Sequence, residues 1–181
     1  MNERERAMLG RDGADHYQRA LREAAGRAAM WEKFRTVVPA EEMEWESSPQ
    51  GRIKHMVNEA MQTRESVVDM YQQVIDPGGN SGKHRHFSEE VLYILEGSGY
   101  DLHWDPIFEA DVRYEWRWQE EPKRFDWTAG DFVYIPPYTT HQHFAGTSPV
   151  RFLSATSRVV KAIGFDGLEQ LEPASSWMGG A

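Results

Sequence analysis

His84 and His86 stand one residue apart in the run KHRHFSEEVLYILEG, Glu90 follows four residues after His86, and His141 ends GDFVYIPPYTTH. Alternate side chains of an extended strand share a face, so His-x-His sends both imidazoles to one side. A carboxylate opening the next strand and a third imidazole from a distant one would complete a set of three nitrogens and one oxygen. Such a set suits iron, manganese, nickel, copper or zinc, and it disfavours calcium, which takes oxygen ligands. The chain has no cysteine, so thiolate ligands, disulfides and cysteine nucleophiles are excluded. Any metal must rest on histidine and carboxylate.

The wider spacing makes this pattern specific. Gly78, five residues, His84-x-His86, three residues, Glu90, six residues and Gly97 resemble the first motif of the cupin superfamily. Gly130, five residues, Pro136 and His141 resemble the second, and the likeness runs roughly from Val67 to Ser157. The resemblance implies an all-β fold, the cupin double-stranded β-helix or jelly-roll barrel. It also implies that His84, His86, Glu90 and His141 hold one divalent transition metal. Iron(II) is the first expectation, with manganese, nickel, zinc and copper left open. Two positions depart from the family pattern. Tyr138 stands where the second motif usually has Gly, and Ala145 where it usually has Asn. The Gly normally serves a tight turn with positive φ, so Tyr138 implies an altered turn or local strain. Neither departure removes a ligand.

The elements that must position these residues can be read from periodicity. From Asp15 to Arg35, Tyr17, Leu21, Ala24, Ala28, Trp31 and Phe34 recur at helical intervals between charged positions. This predicts a helical arm whose apolar stripe packs on the barrel or on a second subunit. After the turn-rich ESSPQG, the runs RIKHMV, SVVDMYQQVI, EEVLYILEG, YDLHW, VRYEWRW, RFDW, DFVYI, HQHF and VRFLSATS are short, rich in β-branched and aromatic residues, and bounded by turn formers. Many short strands of this kind predict a barrel or sandwich. The expected division is an N-terminal helical arm over 1–51, a β-barrel over 52–163 and a loosely held C-terminal tail over 164–181.

Between the motifs an insertion from Ser98 to Thr128 carries Tyr114, Trp116 and Trp118 on one side of a strand and Arg113, Glu115 and Arg117 on the other. These aromatics either pack the fold or an interface, or, with Phe108 or Trp104, wall a pocket for a flat apolar substrate. His143 follows His141 with the same parity, and a role in proton transfer or in support of the metal site is expected of it. Tyr138 is a candidate hydroxyl donor to substrate. His103 reads as structural, and His55 as lying ahead of the barrel proper with no role. Lys83 and Arg85 have the opposite parity to the ligands and should be solvated. An anionic substrate would draw its partner from Arg52, Lys54, Arg113, Arg117 and Arg151.

At 181 residues the chain fits one domain with a real core. A net charge of −9 with interspersed basic residues argues against nucleic acid or an anionic membrane as partner. The apolar runs are too short for a signal peptide or a bilayer span, so a cytoplasmic protein is expected. The function expected first is a non-haem iron(II) dioxygenase that cleaves a C–C bond in a hydroxylated aromatic or related enolisable small molecule, by resemblance to small gentisate and dihydroxyacetophenone dioxygenases. A redox-neutral lyase, isomerase or decarboxylase, and a module that binds a small molecule without turning it over, are the alternatives. A homodimer is expected.

Overall fold

The computed structural model describes residues 2–9, 13–63, 67–110 and 114–179. Residues up to Arg35 form one unit and those from Thr36 onward a second. The first unit holds α1 (Glu3–Leu9) and α2 (His16–Trp31). The helical recurrence of Tyr17, Leu21, Ala24, Ala28 and Trp31 is realised in α2. The helix stops at Trp31, before the expected Arg35, and the rings of Trp31 and Phe34 meet beyond its end at 6.1 Å. None of its residues is buried.

The second unit is built of antiparallel strands: β1 (Trp45–Ser48), β2 (Gly51–Val57), β3 (Val68–Ile75), β4 (Lys83–Arg85), β5 (Glu90–Glu96), β6 (Ser98–Trp104) and β7 (Pro106–Ala110). There follow β8 (Tyr114–Trp118), β9 (Lys123–Thr128), β10 (Phe132–Ile135), β11 (Thr140–Ala145), β12 (Val150–Ser157), the short helix α3 (Val159–Ala162) and β13 (Glu169–Glu172). Among the described residues they form a six-stranded sheet, β1-β2-β3-β12-β5-β10, a five-stranded sheet, β13-β4-β11-β6-β9, and the separate hairpin β7-β8.

The two larger sheets face each other, and period-two alternation sets what lies between them. Leu92 and Ile94 of β5, Val150 and Phe152 of β12, and Val133 and Ile135 of β10 are buried there with Ile75, Trp127 and Ala145. The same inward rows turn polar further along. Glu90 precedes Leu92 on β5, Ser154 follows Phe152 on β12, and both are fully buried. One end of the interior is thus an apolar core, and the other carries the chemistry.

Three expectations are corrected. The Ser98–Thr128 stretch is not a single insertion, because β6 and β9 are paired members of the five-stranded sheet and only β7 and β8 leave it. The stretch from Gly164 is not loose: Glu169 pairs with Arg85 and Glu172 with Lys83 along β4, and Ala174 is buried with its N–H donating to Pro49 O at 2.7 Å. The sheet begins at Trp45, ahead of the boundary drawn at residue 52, since β1 pairs with β2 residue by residue. No helix among the described residues is long and apolar enough to cross a membrane.

Candidate metal centre

His84 lies on β4 and is the cross-strand partner of His141 on β11, while His86 follows two residues on with the same parity. Glu90, the first residue of β5, reaches across from the opposite sheet. The ring centroids of His84 and His141 are 4.2 Å apart, and each lies 5.3 Å from that of His86. One ligand atom from each of the four residues lies within 4.8 Å of the other three. All four side chains are buried.

The backbone fixes how the imidazoles present themselves. A carbonyl can only accept, so each Nδ1–H donates: His86 to Ser88 O at 2.8 Å, His141 to Thr139 O at 2.9 Å, and His84 to Gly82 O at a longer 3.4 Å. This tautomer leaves the Nε2 lone pairs facing inward, the state a metal needs. Glu90 Oε2 lies 3.1 Å from His86 Nε2 and 3.2 Å from His141 Nε2. Its Oε1 accepts from the Tyr71 hydroxyl at 3.0 Å and from the Ser154 hydroxyl.

Electrostatics keep Glu90, His84 and His141 in ligating form. Burial alone would raise Glu90, but the neighbouring His141 and His86 bring it well below the usual carboxylate range. Burial, and then the neighbouring His141, push His84 well down, and burial lowers His141. His86 goes the other way: burial would lower it, but the contact with Glu90, its charge and the Ser88 carbonyl together raise it. Burial and the charge of Glu90 raise Tyr71, so its phenol stays a donor. Three inward lone pairs and one carboxylate, crowded in a buried space with too few protons to share, fit a divalent cation better than one another. The donor set of three imidazoles and a carboxylate suits a transition metal. A metal-binding site is present.

A cavity of about 300 Å³ opens against two of the ligands, His86 and Glu90. Its walls present more apolar than polar surface, with His55, Tyr71, Arg158 and Lys161 set among the carboxylates of Glu59, Asp69 and Asp166. Arg158 also lies 3.6 Å from Asp69 and 3.8 Å from Glu59.

No protein-family model matches the sequence, and no curated protein matches it. Solved structures do match. Oxalate decarboxylase from Lactobacillus farciminis, as a formate complex, is 15% identical with a TM-score of 0.51, covering 68% of this chain and 34% of that one. A single-residue variant of oxalate decarboxylase from Bacillus subtilis is 17% identical with a TM-score of 0.54, over 77% of this chain and 34% of that one. The fold is that of a cupin. This chain spans about a third of the length of those two neighbours. A further structure of the Bacillus subtilis enzyme, concerned with its Mn(II) centres, is 20% identical with a TM-score of 0.50 over 64% of this chain and 28% of that one.

Other residues singled out from the sequence fall elsewhere in the interior or on the surface. His143 is fully buried beside His141, with ring centroids 5.5 Å apart, and is not among the residues lining the cavity. Its Nδ1 meets Asp101 Oδ1 at 2.9 Å, and its ring lies edge-on to Phe152. Its Nε2 has no hydrogen-bond partner among the described residues. Burial would lower His143, but the charge of Asp101 raises it. His103 also faces Asp101, at 3.4 Å.

Tyr138 adopts φ of +61°, so the altered turn expected there is realised as strain. Its N–H donates to His86 O at 2.8 Å, its carbonyl accepts from Trp118 Nε1 at 2.9 Å, and its ring stacks on Phe87 at 4.0 Å. Trp116 packs edge-on against both Phe87 and Tyr138, and Phe108 packs on Trp116. The hairpin aromatics therefore stack on one another and on this turn, and none of them lines the cavity.

Lys83 and Arg85 point away from the ligands, but they are not solvated. Arg85 stacks over Trp118 at 3.4 Å and pairs with Glu169, and Lys83 lies over Trp104 and pairs with Glu172. The anticipated pool of cations is also occupied elsewhere. Arg52 and Lys54 sit over Trp45, Arg117 beside Glu109 and Glu115, and Arg151 on Glu96, while Arg113 falls outside the described residues. The cations at the cavity are Arg158 and Lys161, just past the end of β12. Sequence reasoning missed these two, together with Tyr71, Ser154, Asp101 and the placement of His55. The one signal available for His55 was its parity with Ile53.

Proposed function

We propose that this cupin is a metal-dependent, redox-neutral enzyme that removes carboxylate from a small organic acid. The observation that carries this reading is the character of the cavity at His86 and Glu90. At about 300 Å³ it is at the small end for ligand pockets, and hydrogen-bonding side chains and the cations Arg158 and Lys161 stand among its lining residues, with none of the hairpin aromatics. A flat aromatic substrate wants apolar faces, and the hairpin aromatics that were to supply them stack on Phe87 and Tyr138 instead. The likeness to oxalate decarboxylases adds support at the level of fold.

Held by His84, His86, Glu90 and His141, a divalent cation supplies Lewis acidity that draws electrons from a bound carboxylate or carbonyl. The protein supplies the rest. Tyr71 and Ser154 hold one oxygen of Glu90 so that the other faces His86 and His141. Lys161 adds positive charge for the anionic end of the acid, while Arg158 at the same wall is held by Asp69 and Glu59. Manganese, as in the Bacillus subtilis neighbour, and iron both suit the ligand set.

The test is CO₂ release from a panel of small mono- and dicarboxylates and 2-oxo acids, under nitrogen, with the Mn(II)-loaded protein. Release without oxygen is expected. Turnover only with iron(II) and oxygen, on catechols, gentisates or hydroxyaryl ketones, would restore the dioxygenase reading in its place. Acids that bind and are recovered unchanged would make the protein a binding module.

A further inference from the structure

We propose that His55, oriented by Glu46, is the acid/base residue of the metal cavity, the group that carries a proton to and from the bound acid. The proposal rests on the decarboxylation reading above for its chemistry, and on three features of the fold for its placement.

The first is parity. Gly51 and Ile53 of β2 are buried toward the interior, and His55 is the next residue on that face. The strand register places His55 opposite Tyr71 on β3, Tyr71 opposite Ser154 on β12, and Ser154 opposite Leu92 on β5, two residues past Glu90. One row across the sheet thus runs from His55 to the two hydroxyls that bind the Glu90 carboxylate. His55 lies edge-on to the Tyr71 ring at 6.3 Å and lines the same cavity as His86 and Glu90.

The second feature is the carboxylate behind it. Glu46 Oε2 on β1 lies 3.4 Å from His55 Nε2. A carboxylate at one ring nitrogen orients the ring and leaves the other nitrogen to exchange a proton. The side chain is 39% exposed, so the ring can recover its proton from water. His143 has the opposite situation, sealed in the interior with Nδ1 on Asp101.

The third is the strand itself. The β2–β3 register shifts between His55 and Val57. Such irregularities bend a strand and re-aim its side chains, and they are over-represented beside active sites.

In the step assigned to it, the C–C bond to the carboxylate breaks and CO₂ leaves. The electron pair stays on the remaining carbon, and the proton of the His55 imidazolium ends on that carbon. Neutral His55 then takes a proton from water, and no electron is gained or lost overall.

The placement can be read without turnover. Zinc-loaded protein carrying ¹³C-labelled histidine is titrated with malonate as the probe, and the His55 ring signal is identified by its absence from His55→Gln. Saturating malonate should shift that signal. A His55 signal blind to bound malonate overturns the proposal, and so does a protein that binds no malonate.

The role is read with the Mn(II) holoenzyme on whichever acid of the panel is turned over. His55→Gln should keep wild-type metal content and lose on the order of 100-fold or more in kcat with KM little changed. Added imidazole should restore part of the rate of His55→Ala. Wild-type kcat in His55→Gln overturns the proposal. If malonate shifts His55 but the wild type releases no CO₂ from any acid, the placement at the ligand stands and the decarboxylation reading falls.

Discussion

Tyr71 donates its hydroxyl to Glu90 Oε1 at 3.0 Å, leaving Oε2 of the same carboxylate to face His86 and His141. The two residues come from strands separated by β12, which itself contributes Ser154 to the same oxygen. A ligand carboxylate held this way is oriented before any metal arrives. Partners of this kind are worth about 10- to 100-fold in metal affinity. Tyr71→Phe keeps the ring and removes one donor. Mn(II) affinity, measured by competition with a chelator, should fall within that range while the urea midpoint moves little.

Removal of a ligand and removal of its buried neighbour should separate cleanly. His84→Ala and His141→Ala each take one nitrogen from a four-ligand site and should leave the purified protein with little metal. His143→Ala leaves all four ligands but strands Asp101, a fully buried carboxylate, without its closest cation. Breaking a buried pair from one side costs about 3–5 kcal/mol. The expected outcome is metal content close to one equivalent per folded chain, with a large drop in unfolding free energy. Metal analysis beside urea denaturation checks both.

The site was legible in the sequence wherever local spacing determines geometry. His84-x-His86 shares a face because strands have period two, and Glu90 begins the inward row that continues through Leu92 and Ile94. His141 lies opposite His84 through a single cross-strand register, which the order of the two glycine-bounded motifs already implied. What stayed hidden depends on pairings between distant strands. His55 reaches the cavity through the register of β2, β3, β12 and β5; its parity with Ile53 within RIKHMV could place it on one face of the strand but not say what that face meets. Glu169–Glu172 is short, acidic and exposed, so nothing in its pattern marks it as a strand; it forms one because β4 offers an open edge and Arg85 and Lys83 meet its carboxylates. The aromatics of β8 read as a side built to be covered, yet Tyr114 and Trp116 are exposed, and Trp118 is half-buried against the turn at Tyr138.

That turn makes its own prediction. Tyr138 holds φ of +61° while its N–H and carbonyl are both engaged, so the backbone cannot relax without releasing His86 or Trp118. A non-glycine residue in this region costs about 1 kcal/mol or more, and glycine escapes that cost. Tyr138→Ala loses the stack on Phe87 and keeps the strain, whereas Tyr138→Gly loses the stack and relieves it. Both should be less stable than wild type, with the glycine variant the more stable of the two by about 1 kcal/mol. Thermal or urea unfolding of the pair decides this, and an alanine variant as stable as the glycine variant would mean the turn carries no strain.

Asp101 sets the acid side of the stability profile. Burial by itself would raise its carboxyl. The charge of His143 and hydrogen bonds from His103, His143 and Trp127 more than reverse this and hold it well below the usual carboxylate range. In the unfolded chain an aspartate titrates near about 3.9. The folded value is the lower of the two, so the stability contributed by Asp101 is present in full above that pH and is lost as pH falls through it toward the folded value. Asp101→Asn has no such charge to lose. His143, raised by Asp101 in the wild type alone, adds to the gap as pH falls from 7. The gap in urea midpoint between metal-free wild type and Asp101→Asn should therefore be widest near about pH 5 and close progressively below about pH 4. A gap as wide at pH 3 as at pH 5 would mean that the folded protein carries Asp101 uncharged, and the pairing with His143 would then be a neutral hydrogen bond.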